Sequence, residues 1–593
     1  MRYPELTEIS TSREMTDVFG GYNHNLRIGM GEFYDMKNMT SDDYPVLSPR
    51  KQRGIYASPT NPVGLIAKDA LCHVDCVTSE HSDGARFYIN GNVVEGLTLS
   101  SKAADCPKTL VSMGAYVIIM PDKKYVNTEN PSDHGSIDAT VTTNNPVFFS
   151  LCKIDGTEYP DAVESDTAPS SPKNLDLWID TSGEIHVLKQ YAASSTQWIS
   201  VSTTYIKLSS AGSGIGKQFF VGDGITISAS DRDEIDGITG SVVVWGTPND
   251  DSIVVTGIIN KGYSIDAAVT FERKMPKVDF ITEAGNRLWG CRYGLSNDSV
   301  MVNEIYASKL GDFKNWNSFA GISTDSYAAS VGTDGQFTGA ITHLGYPIFF
   351  KENFIHKVYG NYPANYQIQT TACRGVQKGC ERSLAIVNET LFYKSRSSVC
   401  AYDGSLPTEV SSALGDVQYS KAVAGVLGNK YYISMMDTDS EYSLFAFDTK
   451  KGMWHKEDDT QVVAFCTNKG DLFFIDYADK NIKTVRGTGT LDTSLVEWEA
   501  ITGVIGTDAP DKKYIARMDV RLSLNVGTRV SIFADYDSLG SWEHLFTMTG
   551  TTLRSFAIPV RPKRCDHLRL KIIGVGEAKI YSITKTTEQG SDV

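Results

Sequence analysis

The sequence predicts an all-β protein: a β-propeller, small β-modules inserted into it, and a β-sandwich at its C-terminal end. Three observations carry this. Short runs rich in Val, Ile, Tyr and Phe are separated by Gly, Asn and Asp turns. No amphipathic pattern sustains a helix of more than a few turns. A small turn followed by an aromatic strand also recurs, with later units starting roughly 40 residues apart, the period of four-stranded propeller blades.

The first element, residues 1–54, is an extended arm. GGYNHNLRIGMGEFYDMKNMTSDDYPVLSPRKQRG (20–54) keeps neither a strand period nor a helix period. Yet Phe33, Tyr34, Met36, Met39, Tyr44 and Leu47 are too apolar for a free tail and require a surface to cover them. The first blades are expected over 55–135, from Ala85–Asn92 and Gly114–Tyr125. Residues 136–271 break the pattern. PDAVESDTAPSSPKN (160–174) is linker-like, and the following stretch alternates as a meander anchored by Trp178 and Trp198. One or two inserted β-modules are expected there, because propeller loops tolerate insertion.

The remaining blades occupy 272–490, with strands opening at Gly285-Asn286, Gly345, Asn388-Glu389, Gly428-Asn429 and Gly470. A blade cannot bury both faces alone, so blades stack, and Trp454 stands where such packing needs a large side chain. Residues 491–593 alternate polar and apolar over several longer strands, as a β-sandwich does.

Composition narrows the function. Of 593 residues, 41% are hydrophobic and 21% charged, which suits a globular core. Met1-Arg2-Tyr3-Pro4 leads into polar residues, so no secretory leader is expected, and no run is long and apolar enough to span a membrane. The net charge of −15 argues against a protein that grips nucleic-acid phosphates. Ten cysteines are scattered irregularly. Cys72-His73-Val74-Asp75-Cys76 lacks a second ligand pair at zinc-site spacing, so buried strand thiols are expected, and no metal or other cofactor is. Cys373 and Cys380 flank a Gly-rich loop and could pair under oxidising conditions, but reduced thiols are the expectation.

Catalytic signals fail one by one. Gly212-Ser213-Gly214-Ile215-Gly216-Lys217-Gln218 misses the first Gly and the Ser/Thr of a phosphate-binding loop and reads as a flexible linker. Asp231, Asp233, Glu234 and Asp236 do not follow EF-hand spacing. Asp448-Thr449-Lys450-Lys451-Gly452-Met453-Trp454 is a single degenerate copy of a sialidase Asp-box turn, with no motif-borne pair of acids. No nucleophile elbow and no HExxH pair occurs. The expectation is therefore a non-enzyme.

Two stretches carry a family resemblance. One is Phe19-Gly20-Gly21, Glu32-Phe33-Tyr34-Asp35-Met36-Lys37-Asn38-Met39, Asp43-Tyr44-Pro45-Val46-Leu47 and Pro49-Arg50-Lys51-Gln52-Arg53-Gly54. The other is Asn286-Arg287-Leu288-Trp289-Gly290-Cys291, Asn303-Glu304-Ile305-Tyr306-Ala307-Ser308 and Gly311-Asp312-Phe313-Lys314-Asn315-Trp316. Together they resemble the tail tubular protein B (nozzle) and packaged-DNA stabilisation (tail hub) family of short-tailed bacteriophages.

The resemblance implies a structural virion protein assembled in the bacterial cytoplasm. It implies a hexameric ring below the portal and its adaptor, in contact with that adaptor and with tail fibres or a plug protein. Such a ring retains packaged genome and releases it at ejection, without inserting into a membrane. An acidic chain would let DNA slide through its channel without specific binding. Phe33, Tyr34, Met36, Arg50, Lys51 and Arg53 are then candidate assembly contacts, with Phe313 and Trp316 as core. The alternative is a receptor- or glycan-binding tail protein on a propeller, with Trp178 and Trp198 stacking on sugar rings.

Overall fold

The computed structural model describes residues 11–76, 84–102, 106–230, 235, 238, 240–296, 299–491, 495–506, 514–558 and 565–588. It is an all-β protein in which four-stranded propeller sheets accompany an inserted module and a C-terminal sandwich. The chain divides into two compact units, Met1–Leu110 with Phe350–Ile355 and Thr371–Val593, and Val111–Phe349 with His356–Thr370.

In the first unit, the opening blade is Pro62–Lys68, Ala70–Asp75, Arg86–Ile89 and Asn92–Val93. Further blades are Ala385–Val387 to Thr408–Glu409, and Ser420–Leu427 to Met453–Asp458. The last blade takes Val462–Asn468, Asp471–Asp476 and Ile482–Thr484 from the chain's later part. Its fourth strand comes from the beginning: Gly54–Ala57 pairs with Ile482–Thr484. The sequence places residue 55 in the first blade. The structure gives it to the last one, a pairing between distant segments that no local pattern records. Leu65 and Leu71 of the first blade share a core with Phe473, Ile475 and Ile482 of the last.

The turns explain why the recurring units were visible. Gly285-Asn286, Leu344-Gly345, Asn388-Glu389 and Lys469-Gly470 each hold two successive residues at positive φ. This is the two-residue turn whose twist matches a hairpin. The strands that follow are mostly buried, Asp471–Asp476 along its whole length, because blades cover both faces.

The C-terminal part is built on a strand of 23 residues, Tyr514–Tyr536. Its first half pairs with Ala578–Glu588 and its second with Leu568–Val575. Its hairpin partner is Glu543–Ile558, with register slips around Leu524–Arg529 where Gly527 takes φ +87. The hairpin folds over at this corner. Phe546 and Phe556 would lie roughly 30 Å apart on a straight strand, yet their ring centroids are 6.2 Å apart. The long strand thus passes from one layer of a sandwich to the other. The arm joins this sandwich to a blade: the sheet runs from Glu497–Thr502 through Glu32–Lys37 and Gly21–Tyr22 to Met453–Asp458.

The second unit holds the blade Phe280–Ala284 to Tyr327–Ser330 and most of the blade Thr109–Met113 to His134–Ser136. The sheet Phe337–His343 to Gln367–Ala372 falls mostly in this unit. The insert runs from Ala139–Thr142 to Val269–Arg273. It has one eight-stranded sheet and one four-stranded sheet around a single core that includes Phe149, Leu177, Ile179, Leu188, Phe219 and Phe271. It is one module rather than two.

Candidate functional site

The arm is held by an ion cluster. Asn38 takes the left-handed conformation, φ 56, and turns the chain after Glu32–Lys37. Its amide N–H donates to the Glu457 carbonyl, and its side chain accepts from Arg50 Nε at 2.8 Å. Arg53 reaches Glu457 and Asp458, each at 2.9 Å, and donates to Thr460 Oγ1 at 3.0 Å. Its guanidinium also lies over the Phe474 ring, 5.0 Å from the centroid. Burial alone would raise the Asp458 carboxyl, but Arg53 and Arg50 hold it down at about 2. Burial works against the Arg53 charge too, and Asp458 and Glu457 outweigh it.

Gly54 follows at once. A Cβ there would stand 2.3 Å from the Thr488 carbonyl oxygen, so the chain needs glycine where it enters the last blade.

These contacts fix the six candidate assembly residues. Phe33 and Met36 are 1% and 2% exposed inside their own chain, with Phe33 against Phe19 at 5.9 Å. Tyr34 is half-buried between His24, stacked at 4.2 Å, and Arg569 at 4.8 Å. Arg53 and the half-buried Arg50 are spent on Glu457 and Asp458. Lys51 alone of the six is exposed. For Phe33, Met36 and Arg53 an intersubunit role does not follow from this placement: the surface that covers the ribbon is its own chain. Nothing local marks Glu457 and Asp458 as partners, beyond an acidic pair ending a blade strand.

The second stretch of resemblance is a buried knot. Arg287, 1% exposed, donates to the carbonyls of Ser308, Ser323 and Asp325. Asn315 donates to Asp223 at 2.8 Å and accepts from the Gly224 amide, and Asp223 pairs with Arg273. The loop after Ala307 is thereby locked to the insert. Phe313 and Trp316 lie in the core, as expected of them. Trp454 also packs as expected, 4.9 Å from Phe447, with its indole N–H on the Val410 carbonyl.

The insert carries an aromatic strip. Its four-stranded sheet, Val163–Ser165, Leu177–Asp180, Val187–Ala192 and Gln197–Ser200, turns Leu177, Ile179 and Leu188 into the module core. The opposite face presents Trp178, Lys189, Tyr191 and Trp198, cross-strand neighbours in register. Trp198 lies 5.3 Å from Tyr191 and 5.5 Å from Trp178. Trp178 is only 5% exposed, gives its indole N–H to the Ser165 carbonyl and carries Lys189 over its ring at 4.7 Å. Its faces are occupied, so it supports the strip rather than offering a platform. Trp198 and Tyr191 are half-buried and keep part of their rings open. Tyr191 was not singled out in the sequence, although its place in the alternation was visible.

The Gly212–Lys217 stretch is not a flexible linker: Asp251 accepts from the amides of Gly212 and Gly214, both at 2.8 Å, and Ile215–Gln218 forms a short helix. The N–H groups an anion would want are already taken. Asp231, Asp233, Glu234 and Asp236 lie outside the described residues. Cys72 and Cys76 are buried thiols at a strand, and burial pushes Cys72 up to about 12. Cys373 and Cys380 are free. Among the described residues no group of His, Cys, Asp and Glu is placed to hold a metal ion, and no helix is long and apolar enough to cross a membrane.

No protein-family model and no curated protein matches the chain. It is similar to solved structures at low identity. An exo-β-1,3-galactanase from Phanerochaete chrysosporium, with galactose, is 10% identical at TM-score 0.21, covering 51% of this chain and 94% of that one. A Trypanosoma rangeli sialidase in complex with 2,3-difluorosialic acid is 9% identical at TM-score 0.22, covering 97% and 95%. Chaetomium thermophilum Raptor is 9% identical at TM-score 0.26, covering 74% and 30%.

Proposed function

We propose that this chain is a structural subunit of a short-tailed bacteriophage tail, a hub or nozzle that forms a hexameric ring below the portal and adaptor. In this reading it retains packaged DNA, lets it pass at ejection and performs no catalysis. The observation that carries it is the use of the two stretches that resemble that family. Both are joints. Arg50–Gly54 latches the arm and completes the last blade, and Gly311–Trp316 knots a blade to the insert. Residues spent on joints suit a part that bears load. The net charge of −15 suits a conduit that must not hold phosphates. Cryo-electron microscopy of the purified full chain tests the reading. A closed ring with a central channel is expected, and a monomer at all concentrations contradicts it.

A second reading has its own observation. The Tyr191–Trp198 strip matches carbohydrate recognition by ring stacking, which suits a receptor- or glycan-binding tail protein. Glycan-array binding by the full chain, lost in W198A, would favour it. No binding above background would remove it.

A further inference from the structure

Cys76 and Cys106 stand with their sulfurs 3.5 Å apart, although 30 positions separate them in the chain. Both positions are fixed by the same neighbouring segment. The Cys76 amide donates to the Asn61 carbonyl, and the Lys108 amide, two residues beyond Cys106, donates to the Val63 carbonyl. Cys76 is buried at the end of Ala70–Asp75, whereas Cys106 is half-buried. Between them lie Arg86–Ile89 and Asn92–Val93, the outer strands of the first blade. A disulfide needs its sulfurs at about 2.0 Å, so this pair has to close by about 1.5 Å.

We propose that Cys76 and Cys106 are a redox-closable pair that a small-molecule disulfide converts into an intramolecular bond clasping the outer half of the first blade. Cys106 is the accessible partner and reacts first. Its thiolate attacks one sulfur of the small disulfide, forming a mixed disulfide and releasing one small thiolate. Cys76, once deprotonated, attacks the Cys106 sulfur, forms the Cys76–Cys106 bond and expels the second small thiolate. The two protons lost by the cysteines balance the two released thiolates, so the protein is oxidised by two electrons and the small disulfide reduced by two. Burial, with the Cys106 thiol beside it, pushes the Cys76 thiol up to about 11, so the second step is the slow one. The bond would be open in a reducing cytoplasm and closed outside it.

The test uses the reduced full chain, incubated with oxidised glutathione, alkylated and digested without reductant. The expected result is a cross-linked peptide pair joining Cys76 to Cys106, free of glutathione, with two of the ten thiols lost. The oxidised protein should also melt a few degrees higher than the reduced one, a gain absent in C106S. The proposal is overturned by ten alkylated thiols, by a glutathione adduct that persists on Cys106, or by cross-links confined to other pairs. The peptide map of the unaltered chain decides this even if C106S fails to fold.

Discussion

The arm and the insert both carry aromatic residues on sequence that looks exposed, and the chain treats them in opposite ways. In the arm, Phe19, Tyr22, Phe33 and Met36 are all buried by a blade strand and the C-terminal sandwich. In the insert, Tyr191 and Trp198 stay half-exposed over a sheet whose other face already has its core. An apolar ribbon in a polar segment thus marks an internal joint. An apolar strip on a module whose core is already complete stays part-open to solvent.

The comparison breaks most visibly if the arm is removed. Deleting residues 1–53 strips three strands from one sheet, Thr11–Thr16 at its edge and the two that join Met453–Asp458 to Glu497–Thr502, and leaves Glu457 and Asp458 without their arginines. The largest fall in thermal midpoint is expected here, and an unchanged melt would show that the arm is only laid on the surface. F33A and R53A sharpen the point. F33A should cost about 3–5 kcal/mol as a large-to-small core change. R53A should cost about 3 kcal/mol, since it removes the closer partner of two buried carboxylates while Arg50 stays beside them. Denaturant titration measures both.

A pH series gives the next effect. His455 lies under the arm, its Cε1 3.3 Å from where a Gly21 Cβ would be, and burial lowers its pKa to about 3. The unfolded chain takes up a proton near pH 6.5 that the folded imidazole refuses until about 3. Stability should therefore be full above about 6.5 and fall by a few kcal/mol toward pH 3. H455Q should flatten that window. Asp458, held at about 2, adds a further loss as pH drops below the ordinary carboxylate range. The smallest expected effect is W198A, within about 1 kcal/mol in stability, because a half-exposed ring bears little of the core.

The blades were legible because their hairpin turns put two residues at positive φ, which Gly and Asn announce. Phe313, Trp316 and Trp454 were legible as core for a similar reason: large apolar residues set close to a turn. Three things were not. Gly54–Ala57 joins a strand more than four hundred residues later. Arg53 and Glu457 are 404 positions apart and meet only in the folded chain. Asp251 closing over Gly212 and Gly214 turns an apparent linker into a tight turn. Each depends on partners distant in sequence, whereas composition and periodicity report only local preference. The Trp178–Trp198 anchors were visible as a pair, but which of them stays open depended on Lys189 and the Ser165 carbonyl.

The most direct test of the structural reading is electron microscopy of particles from the native source, labelled with an antibody to residues 136–271. The account predicts label at the tail and symmetric averages with a central channel. Particles without label, with the chain soluble and monomeric beside them, would contradict it.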